Sequence, residues 1–432
     1  MNREVLLEAS IGLTVGLLVV VLTAFRSRRP PRPGVTRRAA MLGLFTYAII
    51  AAPVLTVSGM TFVGMIALVV IVALALAGSV LSRRFASGSG VPAHRYVQGL
   101  VGSGVAAVLL IAAAQTLSLI SRVDPRVLVF VLGVVVAVLV AGQGLAASGR
   151  IGSVAMWLMI VPIVISLAIG FLLGDLSAVV SPIRIGVDTP FAAILAVAVA
   201  IFALGWVDAG LQATNAVGRW SPLRVLIWVA VVILAVILGL LMFLGGVIFA
   251  PSMEFFVVPA NIDALPGLAG VLLAVLTVVF AALVAGVLAG VGALPELRGR
   301  LGNEVGNEAS DRTAVPEDDQ GKVPTAPAWV WIGAAIAIVL ALIDPGSQQL
   351  VVAVSLLAGG LVGAQLSAAR SAAGVIAGVV STGVALVVLV LIDQLRLGWG
   401  STVATVVVGL VALLAGRLTA TQASVPTYID AA

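Results

Sequence analysis

Continuous apolar runs of about 20 residues recur along the whole sequence, and each is long enough to cross a hydrocarbon core of about 30 Å as a helix. The runs do not alternate between apolar and polar positions, so membrane-spanning strands are disfavoured. Of the 432 residues, 62% are hydrophobic and 9% are charged, and the mean hydropathy is +1.25. This composition lies outside that of soluble domains. The sequence therefore predicts an all-α polytopic membrane protein.

Runs and helix breakers together predict roughly thirteen transmembrane helices. These spans are Val5–Phe25, Ala39–Val57, Gly59–Leu81, Tyr96–Ile120, Val127–Ala147, Gly152–Leu173, a stretch beginning at Phe191, Val225–Ala250, Leu268–Leu294, Trp329–Ile343, Leu350–Ala369, Ala372–Ile392 and Gly398–Gly416. The connection Pro251–Pro266 is long and apolar enough to form a partly re-entrant cap.

The distribution of basic residues predicts the orientation of the chain. Arg26–Arg38 is the densest basic cluster, and such clusters stay in the cytoplasm, which places the N-terminus outside. Thirteen crossings then leave the tail Leu418–Ala432 inside. We interpret the net charge of +5 as a topology signal rather than as nucleic-acid binding. The predicted location is the inner (plasma) membrane. Basic turns predicted to face the cytoplasm contain Arg83, Arg84, Arg150, Arg219, Arg224, Arg370 and Arg417.

The charged segment Glu296–Pro327, rich in Gly, Asn and Pro, is predicted to be a flexible cytoplasmic linker. Four parts of the chain follow from this organisation. They are a leading helix with a basic loop (1–38), a first five-helix repeat (39–190), a second repeat containing the linker 296–327 (191–369), and two peripheral helices with the tail (370–432).

The most unusual stretch is FAAILAVAVAIFALGWVDAGLQATNAVGRWSPLR, which begins at Phe191 as a membrane helix and becomes polar halfway. Asp208, Gln212 and Asn215 share one helical face if the helix resumes after a break at Gly205. An ionisable residue within a span suggests a functional site. The alternative is a carboxylate at the cytoplasmic helix end, neutralised by Arg219 or Arg224, with the two amides only linking helices. These alternatives stay open.

Other polar residues are weaker candidates. Pro53, in the second span with Thr46 and Tyr47, frees a backbone carbonyl where no water is available unless a cavity is present. Packing is the expected role of Gln115 and Gln143. The chain has no cysteine and a single histidine, His94, which we place in a loop, so a histidine metal cluster and a catalytic triad are excluded. No motif for hydrolysis or phosphoryl transfer is found, and the glycines Gly359, Gly360 and Gly363 are expected to allow close helix packing.

Several stretches resemble the sodium/solute symporter family, which has a LeuT-like fold. The two interrupted spans, the second and the seventh, lie five crossings apart, as in transporters built from inverted repeats. In detail, Ala51–Phe85 looks like the family's second and third helices, FALGWVDAGLQ and the following run like its seventh and eighth, and Phe280–Leu294 like its ninth. The similarity is greatest to the cation/acetate symporter branch.

The sequence also departs from the family pattern at its ion site. Where relatives carry Pro-His and, four residues later, Arg, this chain has Val207, Asp208 and Gln212. The ninth span offers Thr277 as its nearest hydroxyl. The resemblance thus leaves a sparse cation site at Ala52, Pro53 and Thr277.

The resemblance implies a secondary active transporter rather than an enzyme. It would move a small polar solute, such as a short organic anion, across the lipid bilayer by alternating access, coupled to H⁺ or Na⁺ through Asp208 and needing no other cofactor. The alternative is a degenerate transporter-like subunit or sensor that works with a membrane partner. The predicted solute-binding residues are Thr46, Tyr47, Trp206, Asp208, Gln212 and Asn215, with helix breaks at Pro53 and Gly205.

Overall fold

The computed structural model describes residues 92–142, 249–251, 257–259, 268–293, 327–343, 348–367, 372–395 and 399–423. Its helices are α1 Pro92–Ser121, α2 Pro125–Gly142, α3 Leu268–Ala293, α4 Pro327–Ile343, α5 Gln348–Leu366, α6 Ala372–Leu391 and α7 Trp399–Ala423. Two short strands, β1 Phe249–Pro251 and β2 Val257–Pro259, complete the described elements.

Each described helix coincides with a predicted span, and most ends agree within a few residues. The largest difference is at α7, which continues to Ala423, so the predicted tail begins as helix. Three described helices, over Arg95–Ser118, Pro125–Gly142 and Ala372–Leu391, are long and apolar enough to cross a membrane. The first three spans, the sixth to the eighth up to residue 248, and the linker before Pro327 lie outside the described residues.

The described residues are helical, as predicted, apart from one short feature at the predicted outer connection. The strands β1 and β2 pair antiparallel, with Phe249 opposite Pro259 and Pro251 opposite Val257. Each strand ends in a proline, which lacks the N–H that would extend the ladder. The eighth predicted span, drawn to Ala250, therefore gives way to a short ribbon by Phe249.

The connection between α1 and α2 is built by local chemistry. Arg122 adopts a positive φ of 58°, and its N–H donates to the carbonyl of Ser118 at 2.8 Å, which closes α1. Asp124 then caps α2, because its Oδ1 accepts the backbone N–H of Arg126 at 2.8 Å, and Pro125 occupies the first helical position. The predicted topology places this connection outside, yet it contains Arg122 and Arg126. It is therefore an exception to the rule that basic turns face the cytoplasm.

A similar pattern of backbone hydrogen bonds ends α6. The N–H of Gln394 donates to the carbonyl of Leu389 at 2.8 Å, and that of Asp393 to Val390 at 3.1 Å. Asp393 itself has a φ of 53°. These are the two bonds of a Schellman motif, which ends a helix with a left-handed residue that is usually glycine.

Contacts between named residues give the relative directions of the helices. The rings of Tyr96 and Trp329 lie 5.5 Å apart, so α1 and α4 begin at the same end of the protein. We call this the Tyr96 end. Val291, in the last turn of α3, packs against Gly333 of α4, so α3 finishes at the Tyr96 end. These directions are the ones that the predicted order of crossings requires.

The last three helices follow the same alternation. Ala93 and Val97 of α1 pack against Ala364 near the end of α5 and Val375 near the start of α6, so α5 ends and α6 begins at the Tyr96 end. α7 runs parallel to α5, since Thr405 meets Gly359 and Gly416 meets Ser367.

Burial separates a central helix from peripheral ones. Of the spanning residues of α1, 89% are buried, against 33% in α2 and 28% in α6. α1 has no distinct polar face, as expected for a helix enclosed by others. α2 and α6 instead expose Phe130, Val135, Val380 and Val387, a surface that lipid chains can cover without an energetic cost. The protein is thus a multi-pass membrane protein, and its described helices pack around α1.

Candidate functional site

The described helix that carries a predicted site residue is α3, which packs against α1. α1 packs on α3, α4 and α5, and its most extensive contact is with α3. The core between them is made of small and branched apolar side chains, including Ala113, Val284 and Leu288, which are nearly or fully buried. Any polar group in this core is therefore surrounded by material that cannot solvate it, and each such group needs an explanation.

Thr277 of α3 is a predicted site residue that the structure describes. It is 3% exposed, and Ala274 and Val278 beside it are buried as well. The sequence of α3 contains no other residue with a side-chain oxygen. A cation at Thr277 would therefore need its remaining oxygen ligands from other segments, as the sparse site predicted with Ala52 and Pro53 implies.

The other predicted site residues lie outside the described residues. These are Thr46, Tyr47, Ala52, Pro53, Gly205, Trp206, Asp208, Gln212 and Asn215. Their grouping, and the break at Gly205, stay predictions. Within the described ranges, no three His, Cys, Asp or Glu side chains come together as potential metal ligands.

One expectation about His94 is corrected by the structure. His94 lies in the first turn of α1 rather than in a loop, because the helix begins at Pro92. Proline suits a first turn, since the N–H that it lacks would have no partner within the helix.

Several buried hydroxyls are satisfied within their own helices. The hydroxyl of Ser103 donates to the carbonyl of Gly99 at 2.9 Å, and that of Thr116 to Ala112 at 2.7 Å. Thr382 and Thr405 make equivalent bonds of 2.8 Å four residues back. Such bonds allow a hydroxyl to be buried in an apolar helix interface without another helix taking part. These four residues therefore need no ligand to account for them.

Gln98 of α1 is the exception among these polar groups. It is 8% exposed, and no described residue forms a hydrogen bond with its amide. A primary amide carries two N–H donors and a carbonyl acceptor, so its burial is costly when they are unpaired. Gln98 was not singled out from the sequence, although it is an amide within a predicted span. Only its burial distinguishes it from a glutamine that faces water.

The direction of Gln98 around α1 follows from its neighbours. Ser103 lies against Gly333 of α4, and Val97 packs on the α5 and α6 side. At about 100° per residue, Gln98 is about 140° from Ser103 and about 100° from Val97 around the helix axis. Its side chain is thus directed away from α4 and away from α5.

The comparisons with known proteins give the fold. No family model and no curated protein matches the sequence. A Na⁺-coupled sialic acid symporter, solved in a substrate-bound outward-open state, matches with a TM-score of 0.56 and 13% identity. The match covers 98% of this chain and 98% of that chain. The fold of this chain is therefore similar to that of the symporter.

A second solved structure is less similar. A manganese transporter from Eremococcus coleocola, in complex with an aromatic bis-isothiourea substituted compound, matches with a TM-score of 0.49 and 15% identity. That match covers 90% of this chain and 94% of the other.

Proposed function

We propose that this protein is a secondary active transporter that moves a small polar solute across a lipid bilayer by alternating access. The observation that carries the proposal is the common fold with the Na⁺-coupled sialic acid symporter over 98% of both chains. Fold alone does not determine function, so the site must supply the specific chemistry.

The proposal extends to the sodium/solute symporter family and to LeuT-like inverted repeats in the plasma membrane, with the N-terminus outside and the C-terminus inside. In such repeats the solute site lies near the membrane midplane, between broken helices. The second and seventh spans take that role here. Their breaks are at Pro53 and Gly205. Asp208 binds a proton or cation, and Thr46, Tyr47, Trp206, Gln212 and Asn215 contact the solute.

The solute we propose is a carboxylate. The resemblance to cation/acetate symporters points to a short organic anion, and the structural relative carries sialic acid, which is also a carboxylate. Amide and hydroxyl donors at Gln212, Asn215, Thr46 and Tyr47 suit such an anion, because carboxylate oxygens accept hydrogen bonds.

The test is uptake by the purified protein in proteoliposomes. Radiolabelled acetate and N-acetylneuraminic acid are offered under an inward Na⁺ gradient, an inward H⁺ gradient, or neither. We expect accumulation under one of the gradients and its loss in Asp208→Asn. The matched control is Asp393→Asn, a conservative change at an exposed carboxylate, which should leave uptake unchanged. Unchanged uptake in Asp208→Asn would remove the role assigned to that residue.

A second candidate function is that of a degenerate transporter-like subunit or sensor working with a membrane partner. The single hydroxyl of α3, Thr277, favours it, since Na⁺ needs several oxygens around it. The two candidates predict different ligand effects on thermal stability, because a ligand that binds the folded state raises the melting temperature. No shift with Na⁺, K⁺, acidic buffer, acetate or N-acetylneuraminic acid, together with co-purification of a second membrane protein, would favour the degenerate subunit.

A further inference from the structure

Gln98 is buried a short distance from the membrane surface. The paired rings of Tyr96 and Trp329 mark the interfacial level at the Tyr96 end, where aromatic residues concentrate. Gln98 follows Tyr96 by two residues, about 3 Å farther along the helix axis. Tyr96 is 62% exposed, whereas Gln98 on another face is 8% exposed. Water at the Tyr96 end is therefore close to the amide along the helix axis.

The residue that follows Gln98 on the same face of α1 is a glycine. Gly102 lies one turn beyond Gln98 on the same face and contributes no side chain there. Helical side chains lean toward the helix N-terminus, so a large residue at position 102 would cover the amide. Glycine at this position therefore leaves the amide uncovered by any side chain of α1 itself. Leu109, farther along the same face, is a large side chain and is fully buried.

We propose that Gln98 lines the aqueous pathway of the transporter at the Tyr96 end. In the conformation described here the pathway is closed around the amide. When the protein opens to that end, the two N–H groups and the carbonyl of Gln98 bind water and the passing solute. This inference rests on the proposed transport function, and it assigns a pathway residue outside the predicted solute site.

The test uses the absence of cysteine in the chain, which removes background from thiol labelling. Gln98→Cys is compared with Ser103→Cys, a nearly isosteric change at a buried residue of the same helix that faces α4. Both full-length variants are reconstituted in proteoliposomes, and labelling by N-ethylmaleimide is followed over time. A monodisperse size-exclusion profile serves as the check of folding for each variant.

We expect Gln98→Cys to label at least about tenfold faster than Ser103→Cys, because the labelling rate follows the population in which the thiol meets water. A membrane-impermeant maleimide should reach it from the Tyr96 end alone. Labelling should also block uptake in Gln98→Cys and not in Ser103→Cys. Slower labelling of Gln98→Cys in the presence of saturating acetate or N-acetylneuraminic acid would show that the solute itself reaches the residue. Labelling that stays fast in the presence of these solutes would show that water reaches the residue.

Equal, slow labelling of the two thiols in protein that transports would overturn the inference and leave the proposed function intact. Fast labelling of Gln98→Cys in protein that transports neither probe under either gradient would instead count against the proposed function. A water-filled pathway at Gln98 would still be present in that case.

Discussion

Gly360 of α5 and Gly378 of α6 bring the backbones of their helices into direct contact. A β-carbon added to Gly360 would lie 3.1 Å from Cα of Gly378, and one added to Gly378 would lie 3.1 Å from the carbonyl oxygen of Gly360. Such close approach is how membrane helices associate when the surrounding lipid is as apolar as their side chains. The expectation that Gly360 serves packing is confirmed by this contact.

A large side chain at this contact should separate α5 from α6. We expect Gly378→Leu to lower the stability of the purified protein by about 1–3 kcal/mol, the usual cost of overpacking, because the group it meets is backbone. Thermal unfolding in detergent measures the change. The control is Gly383→Leu on the same helix, where nothing lies within 4 Å of an added β-carbon. Equal melting temperatures for the two variants would contradict the prediction.

The contact between Gly104 of α1 and Val354 of α5 can be tested with two substitutions, the second of which should compensate for the first. A β-carbon on Gly104 would lie 2.5 Å from Cγ2 of Val354. Gly104→Ala should therefore destabilise the protein, and adding Val354→Ala should restore part of the loss because it removes the obstructing methyl group. We expect a coupling of about 0.5–3 kcal/mol in the double-mutant cycle, measured by thermal unfolding. Simple additivity of the two changes would mean that this contact does not limit the helix separation.

The Schellman motif that ends α6 leads to a prediction about Asp393. Its φ of 53° lies in the left-handed region, which costs most side chains roughly 1–2 kcal/mol and glycine nothing. Asp393→Gly should keep or raise the melting temperature, whereas Asp393→Val should lower it. Asparagine tolerates this conformation, so the melting temperature of Asp393→Asn should lie between those of the Gly and Val variants. A melting temperature for Asp393→Val equal to that of the parent protein would contradict the assignment.

The predicted orientation can be tested with two matched substitutions in the cysteine-free chain. Arg126 and Arg417 are both exposed, and they lie at opposite ends of the protein. If the Tyr96 end is cytoplasmic, a membrane-impermeant maleimide added to intact cells should label Arg126→Cys and should reach Arg417→Cys after permeabilisation only. The opposite pattern would reverse the topology, and the arginines beside Asp124 make this a necessary check.

The role of Thr277 can be separated from its packing. Thr277→Val keeps the shape of the side chain and removes the hydroxyl, so a cation bound there would lose one oxygen ligand. We expect the Na⁺ concentration for half-maximal uptake to rise by roughly tenfold, the equivalent of about 1.4 kcal/mol. Thr116→Val is the control, because that hydroxyl donates to Ala112 within its own helix. An unchanged Na⁺ dependence in Thr277→Val would exclude the hydroxyl from the ion site.

The membrane class and the positions of the described helices follow from the sequence itself. The ends of α1, α3 and α4 agree with the predicted spans Tyr96–Ile120, Leu268–Leu294 and Trp329–Ile343 within a few residues. The physical reason is that a helix crossing hydrocarbon needs a minimum apolar length, which is a local property of the chain. Local signals such as Pro125 after Asp124 also predict where a helix begins.

Within the described part of the chain, the tertiary structure decided which of these similar helices lies at the centre and which buried polar groups have a hydrogen-bonding partner there. α1 and α6 are both apolar spans, and their roles differ because α1 is surrounded by α3, α4 and α5. Thr116 and Gln98 are both buried polar residues of α1, but only the hydroxyl is satisfied within its own helix. Burial and hydrogen bonding between helices depend on residues far apart in the chain, so a single apolar pattern cannot encode them. The sequence by itself thus determined a membrane protein and the positions of its described helices, and only the tertiary structure singled out Gln98.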